Sequence, residues 1–130
     1  MNPEKAELVS RRIAKAKQTL DEVDILIENK LWNTAINRLY YASFYAVIAL
    51  LHNYELDAKT HSGVKRMFGL HFIKPGIISE RHGEFYADLF EMRQDADYED
   101  EVEYEKEDVL KLIRPAHELV ASIEEVLLKA

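Results

Sequence analysis

Apolar residues recur at helical spacing along almost the whole chain. In the first segment they step by three or four residues along one stripe: Val9, Ile13, Ala16, Leu20, Val23 and Ile27. This spacing predicts a long amphipathic helix from about residue 3 to residue 29, with Pro3 in its first turn. No alternating pattern of comparable length indicates a strand.

The next two helices are predicted on either side of a polar connection. Residues 31–53 are apolar nearly all round after Arg38, so we expect this second helix at the centre of the core. The stretch "LDAKTHSG" is expected to be a connection in which Thr60 caps a short third helix over about residues 62–70.

Two more long helices complete the pattern after the turn "KPG". The fourth is predicted over about residues 78–97, with three residues facing inward: Phe85, Leu89 and Met92. The fifth is predicted over about residues 107–129 with a kink at Pro115. Its apolar face contains Val109, Leu112, Ala116, Leu119, Ile123 and Val126.

Four long helices and one short helix with short connections predict an all-α fold. The expected architecture is an antiparallel four- to five-helix up-and-down bundle, formed by a single domain of residues 1–130.

The composition of the chain indicates in which cellular compartment the protein is expected. The chain has no cysteine, so it can form neither a disulfide framework nor a thiolate zinc site, and a reducing cytoplasmic location is expected. The longest run without a charged residue or a histidine, residues 39–51, is shorter than the roughly 20 residues that cross a bilayer. The N-terminal segment has no apolar core of a secretory signal, so we expect a soluble protein.

The net charge of −7 is concentrated in one segment. Between Asp95 and Asp108 there are nine acidic residues and one lysine, which leaves the rest of the chain close to neutral. We predict that residues 99–105 form a mobile, exposed connection, because like charges repel and few apolar residues anchor them. The segment does not match a calcium loop, since it lacks the glycine at the sixth position.

Common cofactor and metal signatures are missing from the sequence. The four glycines form neither a phosphate-binding loop nor a dinucleotide fingerprint. The five histidines include no pair spaced by four residues, so a helical metal site would need ligands from separate helices. We therefore expect neither a metal nor a cofactor.

Polar side chains interrupt the apolar second helix and the start of the third. Asn37, Arg38 and Tyr41 either belong to a buried polar network or contact an anionic ligand, and Arg38 suits both functions. Tyr40 and Tyr45 are expected to pack in the core. The helix dipole should disfavour the protonated form of His61, which would leave a neutral imidazole near pH 7.

The stretch "MRQDADYED" at residues 92–100 places one arginine among several carboxylates at the end of the predicted fourth helix. Arg93 and Asp97 form an i,i+4 pair with the basic residue first, which is the weaker orientation. The carboxylates of Asp95, Asp97 and Glu99 lie at the negative end of the helix dipole. Either this is a solvated helix end, or Arg93 and Tyr98 serve a chemical function.

Four segments in order resemble the HEPN family of helical domains: "AINRLYYASFYAVIALL", "KTHSGVKRMFG", "FIKPGIIS" and "EMRQDADY". The resemblance covers about residues 31–98 and implies a helical bundle that often dimerises. Members of this family occur beside minimal nucleotidyltransferases, in some cases as the toxin of a toxin–antitoxin pair. Partnership with a separately encoded nucleotidyltransferase is therefore what the resemblance implies here.

Ribonuclease members of the family carry an arginine followed four to six residues later by a histidine. Arg93 matches that arginine, but Tyr98 stands where the histidine could fall. A phenol is a poor general base at neutral pH, so His61 would have to supply the imidazole that the missing family histidine provides in those members. The resemblance thus implies three candidate catalytic residues: Arg93, Tyr98 and His61. The expected ligand-binding residues for nucleotide or RNA are Arg38, Asn37, Tyr41, His61, Arg93 and Asp97.

Three functions remain open from the sequence. The chain could be a homodimeric HEPN module that binds nucleotide or RNA and acts with a nucleotidyltransferase. It could instead be a metal-independent ribonuclease that uses Arg93 and His61. It could also be a structural interaction protein whose acidic segment docks a basic partner.

Overall fold

The computed structural model describes residues 2–98 and 102–130, and these residues form an all-α helical bundle, as predicted. The regular elements are α1 (Pro3–Glu28), α2 (Trp32–Asn53), α3 (His61–Phe68), a π-helical segment (Gly69–Ile73), α4 (Glu80–Tyr98) and α5 (Lys106–Lys129). No strand is present among these described residues. None of their helices has the length and apolar character needed to cross a membrane.

Helix α2 is the centre of the bundle and packs against each of the other four α-helices. Its fully buried side chains include Ile36, Leu39, Tyr40 and Leu50. This confirms the expectation from its nearly uniform apolar character, because a helix that is apolar all round can only be accommodated in a core.

The apolar stripes of α1 and α5 face this core as the sequence predicts. Val9, Ala16 and Val23 of α1 are buried, and Ile27 at the end of the stripe is half-buried. Helix α5 continues through Pro115 and buries Leu119 and the rest of its predicted face except Val126, which is half-buried.

The inward face of α4 differs from the prediction. Leu89 is buried as expected, whereas Phe85 and Met92 are only half-buried. The buried positions of α4 are His82, Tyr86, Leu89, Phe90 and Arg93. Tyr86 packs edge-on against Phe68 and stacks against Tyr40. These contacts fix the rotation of α4, so that His82 and Arg93 face the core with Tyr86.

Local capping interactions fix the starts of α1 and α3. The Asn2 side chain accepts a hydrogen bond from the Glu4 amide at 2.8 Å, and Pro3 occupies the first turn. Thr60 caps α3 as predicted, because its hydroxyl accepts from the Gly63 amide at 2.9 Å. The helical path then continues as the π-helical segment, so it extends beyond the predicted end at residue 70.

The connection between α4 and α5 is partly ordered by Asn33 of α2. The Asn33 amide donates to the Val102 carbonyl at 3.0 Å, and its side-chain oxygen accepts from the Tyr104 amide at 2.9 Å. Tyr104 is half-buried against the core. The prediction of an exposed connection is therefore wrong for Val102 and Tyr104 and confirmed for Glu103 and Glu105, whereas residues 99–101 lie outside the described part.

Candidate functional site

Arg93 of α4 is a buried arginine that stacks on aromatic rings of α2. Only 4% of its surface is exposed. Its guanidinium carbon lies 4.7 Å from the centroid of the Tyr40 ring and 5.8 Å from that of Tyr41. The first reading of this stretch, a solvated helix end, is therefore wrong for Arg93, although it holds for the exposed neighbours Gln94 and Asp95.

The polar contacts of Arg93 are few and long. One terminal nitrogen lies 3.7 Å from an Asp97 carboxylate oxygen and 3.4 Å from the Tyr98 hydroxyl. Its buried Nε has no hydrogen-bond partner among the described residues. Because a guanidinium has five N–H donors and loses water on burial, this arrangement leaves donor capacity for an anion.

His61 at the start of α3 contacts the same aromatic cluster. The Tyr40 hydroxyl and His61 Nδ1 are 2.8 Å apart, and the imidazole stacks on Phe44 with centroids 4.4 Å apart. Burial first, and the positive charge of Arg93 second, lower the pKa of His61 below its usual value. The imidazole is therefore neutral near pH 7, as the sequence predicts, but the main cause is desolvation.

Tyr40 thus joins Arg93 to His61, and it is the residue that the sequence analysis missed as part of the site. Its ring carries the guanidinium and its hydroxyl binds the imidazole. Burial raises the pKa of Tyr40, and it raises the pKa of Tyr86 behind it well above the usual value. Both phenols are therefore neutral at pH 7, and neither is a base. The adjacent tyrosines in "RLYYASF" were visible in the sequence, but a contact across 21 residues was not.

Asn37, Arg38 and Asp97 form the outer edge of the cluster. The Asn37 amide donates to Asp97 at 2.9 Å, and Asn37 accepts from Arg38 at 2.8 and 3.0 Å. The Arg38 guanidinium lies over the Tyr41 ring at 5.1 Å. Asn37 therefore links Arg38 to Asp97, and the carboxylate of Asp97 is in turn paired with Arg93.

Tyr98 lies over Arg93 at the end of α4. Its ring centroid is 5.7 Å from the guanidinium carbon, yet 72% of its surface is exposed. Tyr98 therefore covers one side of Arg93 while remaining largely in contact with solvent itself.

All seven residues that the sequence analysis named for the site lie in or at the edge of this cluster. They are Asn37, Arg38, Tyr41, His61, Arg93, Asp97 and Tyr98. His61 and Arg93 share Tyr40 as a neighbour, and no direct hydrogen bond joins them within the described residues. Residues 2–98 and 102–130 contain no group of three histidine or carboxylate side chains arranged to hold a metal ion.

This geometry can bind an anion and position it beside a neutral imidazole. Two guanidinium groups supply donors, aromatic rings supply a stacking surface, and His61 Nε2 has no protein partner within the described residues. Phosphate groups suit such a site because arginine binds them bidentately.

Comparison with known proteins places this chain among helical domains of one family. A family model described as "HEPN domain" matches residues 9–126. A "UPF0332 protein" of Thermotoga maritima is 37% identical over 124 residues, which cover 95% of this chain and 94% of that protein.

Two similar proteins of Methanocaldococcus jannaschii carry names that refer to a function. The chain is 39% identical to "Putative toxin MJ0605" over 98 residues, covering 75% of this chain and 73% of that protein. It is 34% identical to "Putative toxin MJ0142" over 109 residues, covering 84% of this chain and 74% of that protein.

Proposed function

The chain belongs to the HEPN domain family, and we propose that it is the toxin-like member of a two-protein system that binds nucleotide or RNA phosphate at Arg93. One observation carries the proposal: a guanidinium that is 4% exposed has a buried Nε without a partner and lies beside a neutral imidazole. The names of the two Methanocaldococcus jannaschii relatives support the toxin-like part.

Each residue of the cluster has a defined function in this proposal. Arg93 and Arg38 contact phosphate, and His61 positions it through Nε2. Tyr98 moves from its place over Arg93 and then stacks on a base or donates a hydrogen bond to the ligand. Asp97 and Asn37 hold the two arginines in position before the ligand arrives.

The test is RNA binding by an Arg93→Met variant, which keeps the packing volume and removes the charge. Binding of a labelled oligoribonucleotide is measured by fluorescence anisotropy at low salt, where phosphate contacts are strongest. We expect binding to weaken by about 2 kcal/mol, or about thirtyfold, the scale of lost charge-assisted hydrogen bonds.

The matched control is Arg114→Met, which removes an exposed arginine from α5. It should weaken binding less than about threefold, because a single exposed charge contributes little. Equal affinities of the Arg93→Met variant and the unmodified protein would refute phosphate binding at Arg93.

The proposed partner is a separately encoded minimal nucleotidyltransferase. This part rests on the family resemblance and on the toxin names of two relatives. We expect an adjacent gene to encode a minimal nucleotidyltransferase, and co-expression of that protein with this chain, followed by size-exclusion chromatography, should give one complex. Separate elution at micromolar concentration would contradict the partnership.

We also propose a homodimer. Phe85 and Met92 are half-buried and, with Leu112, line a groove between α4 and α5, while Leu110 is exposed on α5. The same groove is also lined by Asp88, Glu91, Asp95 and Lys111, and a contact surface with an apolar centre and charged residues around it is typical of protein interfaces. Light scattering should give twice the chain mass at micromolar concentration, and a monomer at that concentration would count against a dimer.

A second candidate function is metal-independent RNA cleavage. The observation that favours it is the shared neighbour Tyr40, which brings Arg93 and the neutral His61 into one cluster. His61 would take the proton of the RNA 2′-hydroxyl as the 2′-oxygen attacks the adjacent phosphorus, and Arg93 would stabilise the charge on the phosphate. The bond from phosphorus to the 5′-oxygen would then break, leaving a 2′,3′-cyclic phosphate and a 5′-hydroxyl that receives the proton from the His61 imidazolium. Cleavage in the presence of EDTA that is lost in His61→Asn would establish this activity, and intact RNA would exclude it.

A further inference from the structure

A cavity of about 250 Å³ opens between α1, the end of α2 and the start of α3. Its apolar floor is formed by Phe44, Ile48, Leu51, Leu56, Ala58 and Val64. Polar side chains surround this floor, among them Arg12, His52, Asp57 and Lys59. The described structure gives Arg12 and Lys59 no ion-pair partner, so both cationic groups can turn toward a ligand.

We propose that this cavity receives the base of the nucleotide unit whose phosphate binds at Arg93. The inference rests on the proposed function and specifies its ligand: a phosphate that carries a nucleoside, from either RNA or a free nucleotide.

The size and lining of the cavity suit one planar ring system. Sites for drug-sized ligands measure roughly 300–1,000 Å³, and this cavity lies just below that range. Phe44 and His61, whose rings stack on each other, both line the cavity and give it an aromatic side. Aromatic side chains stabilise bases by stacking, whatever the sequence of the nucleic acid.

The polar rim suits the edge of a base better than a second phosphate. Arg12 and Lys59 are donors, but the carboxylate of Asp57 lies in the same lining and would repel an anion. The Gly63 amide at the start of α3 is already used by the Thr60 hydroxyl at 2.9 Å. A base edge presents both donors and acceptors, which this mixture of groups can satisfy.

His61 connects the cavity to the arginine cluster. It lines the cavity, and through Nδ1 it is hydrogen-bonded to Tyr40, on which Arg93 stacks. The charge of Arg93 contributes to the lowered pKa of His61, as expected for two groups in one site. A ligand that occupies the cavity on one side of His61 and reaches Arg93 on the other needs a ring system joined to a phosphate. A nucleotide has both.

The experiment compares ligands with and without a base. Isothermal titration calorimetry is carried out with the four ribonucleoside monophosphates and with ribose 5-phosphate, which carries the phosphate but no base. We expect at least one nucleotide to bind at least tenfold more tightly than ribose 5-phosphate. Equal affinities would overturn the base pocket.

Two variants of the cavity locate the effect. Ala58→Leu fills the space and Arg12→Ala removes a rim donor, so both should reduce the affinity for the nucleotide toward that for ribose 5-phosphate. Ala121→Leu, an exposed change on α5 that adds the same side chain, should alter neither affinity. A nucleotide preference that survives both cavity variants would overturn the inference. Circular dichroism of both variants shows whether a loss of affinity is instead caused by misfolding.

The same titrations separate this inference from the proposed function. If Arg93→Met lowers the affinity for both the nucleotides and ribose 5-phosphate, but no nucleotide binds more tightly than ribose 5-phosphate, phosphate binding at Arg93 stands and the base pocket is wrong. If Arg93→Met changes neither ligand, the proposed function is wrong. A trinucleotide that binds more tightly than every monophosphate, and loses that affinity in Ala58→Leu, assigns the pocket to RNA; equal affinities assign it to free nucleotide.

Discussion

The guanidinium carbon of Arg93 lies 4.7 Å from the ring centroid of Tyr40, across the contact between α4 and α2. Cation–π contacts of a desolvated arginine contribute on the order of 1–2 kcal/mol, which offsets part of the cost of burying the charge. The Tyr40 hydroxyl is at the same time hydrogen-bonded to His61, so one side chain joins three helices at the site.

Replacing Tyr40 by phenylalanine should remove the hydrogen bond to His61 and keep the ring under Arg93. We expect the free energy of unfolding to fall by about 0.5–1.5 kcal/mol, the usual contribution of one hydrogen bond. Urea denaturation measures the change. Tyr45→Phe is the control, because the Tyr45 hydroxyl has no side-chain hydrogen bond among the described residues and its loss should cost less. Equal losses in the two variants would contradict the importance of the Tyr40 bond.

The stability of the protein should fall as the pH is lowered below 6.5. Burial and Arg93 lower the pKa of folded His61, so below its usual value of 6.5 the unfolded chain binds more protons than the folded chain. By linkage, the free energy of unfolding then decreases as the pH falls from 6.5 toward the folded pKa.

Urea denaturation at several pH values gives the free energy of unfolding. This energy should depend less steeply on pH in His61→Asn, because asparagine does not titrate. His82, whose pKa is also lowered by burial, should account for part of the remaining slope. An unchanged slope in His61→Asn would show that His61 is protonated equally in both states.

Asn33→Ala should loosen the connection between α4 and α5. Two hydrogen bonds are lost, one to Val102 and one from Tyr104, so we expect a loss of about 1–3 kcal/mol in the free energy of unfolding. Hydrogen exchange at the Tyr104 amide should become faster. Gln94→Ala, at an exposed position of α4, should affect neither quantity. Exchange at the Tyr104 amide that is no faster in Asn33→Ala than in the unmodified protein would contradict the proposed effect of the two Asn33 hydrogen bonds.

Gly83→Ala and Gly69→Ala should change stability in opposite directions. A methyl group at Gly83 would lie 2.9 Å from Ile73 Cγ1 and 3.0 Å from Cγ2, so the packing of α4 on the π-helical segment must shift, at about 1–3 kcal/mol. At Gly69 the added methyl meets nothing within 4 Å and φ is −61°, so stability should rise by about 0.4–1 kcal/mol. Thermal unfolding of both variants gives the comparison, and a stabilising Gly83→Ala would disprove the close approach.

Much of the fold could be predicted from the sequence because helix formation and amphipathic stripes depend on neighbours three and four residues apart. The stripe from Val9 to Val23, the burial of α2 and the Thr60 cap are all consequences of such local patterns. The residues of the site were named from the pattern of polar positions and from the family resemblance. The structure brings them together, but their functions stay predictions.

The sequence did not predict which side of α4 faces the core. Phe85 and Met92 are more apolar than Arg93, yet Arg93 is the buried residue, because aromatic rings from α2 provide a surface that a guanidinium can stack on.

The sequence by itself therefore determined the helices, their apolar faces and the set of polar residues available for a site. Only the tertiary structure decided that Tyr40 meets His61 across 21 residues and that Asn33 holds Val102 across 69 residues. The physical reason is that such contacts depend on how packed helices are rotated and aligned, which the balance of burial and polar pairing over the whole core sets.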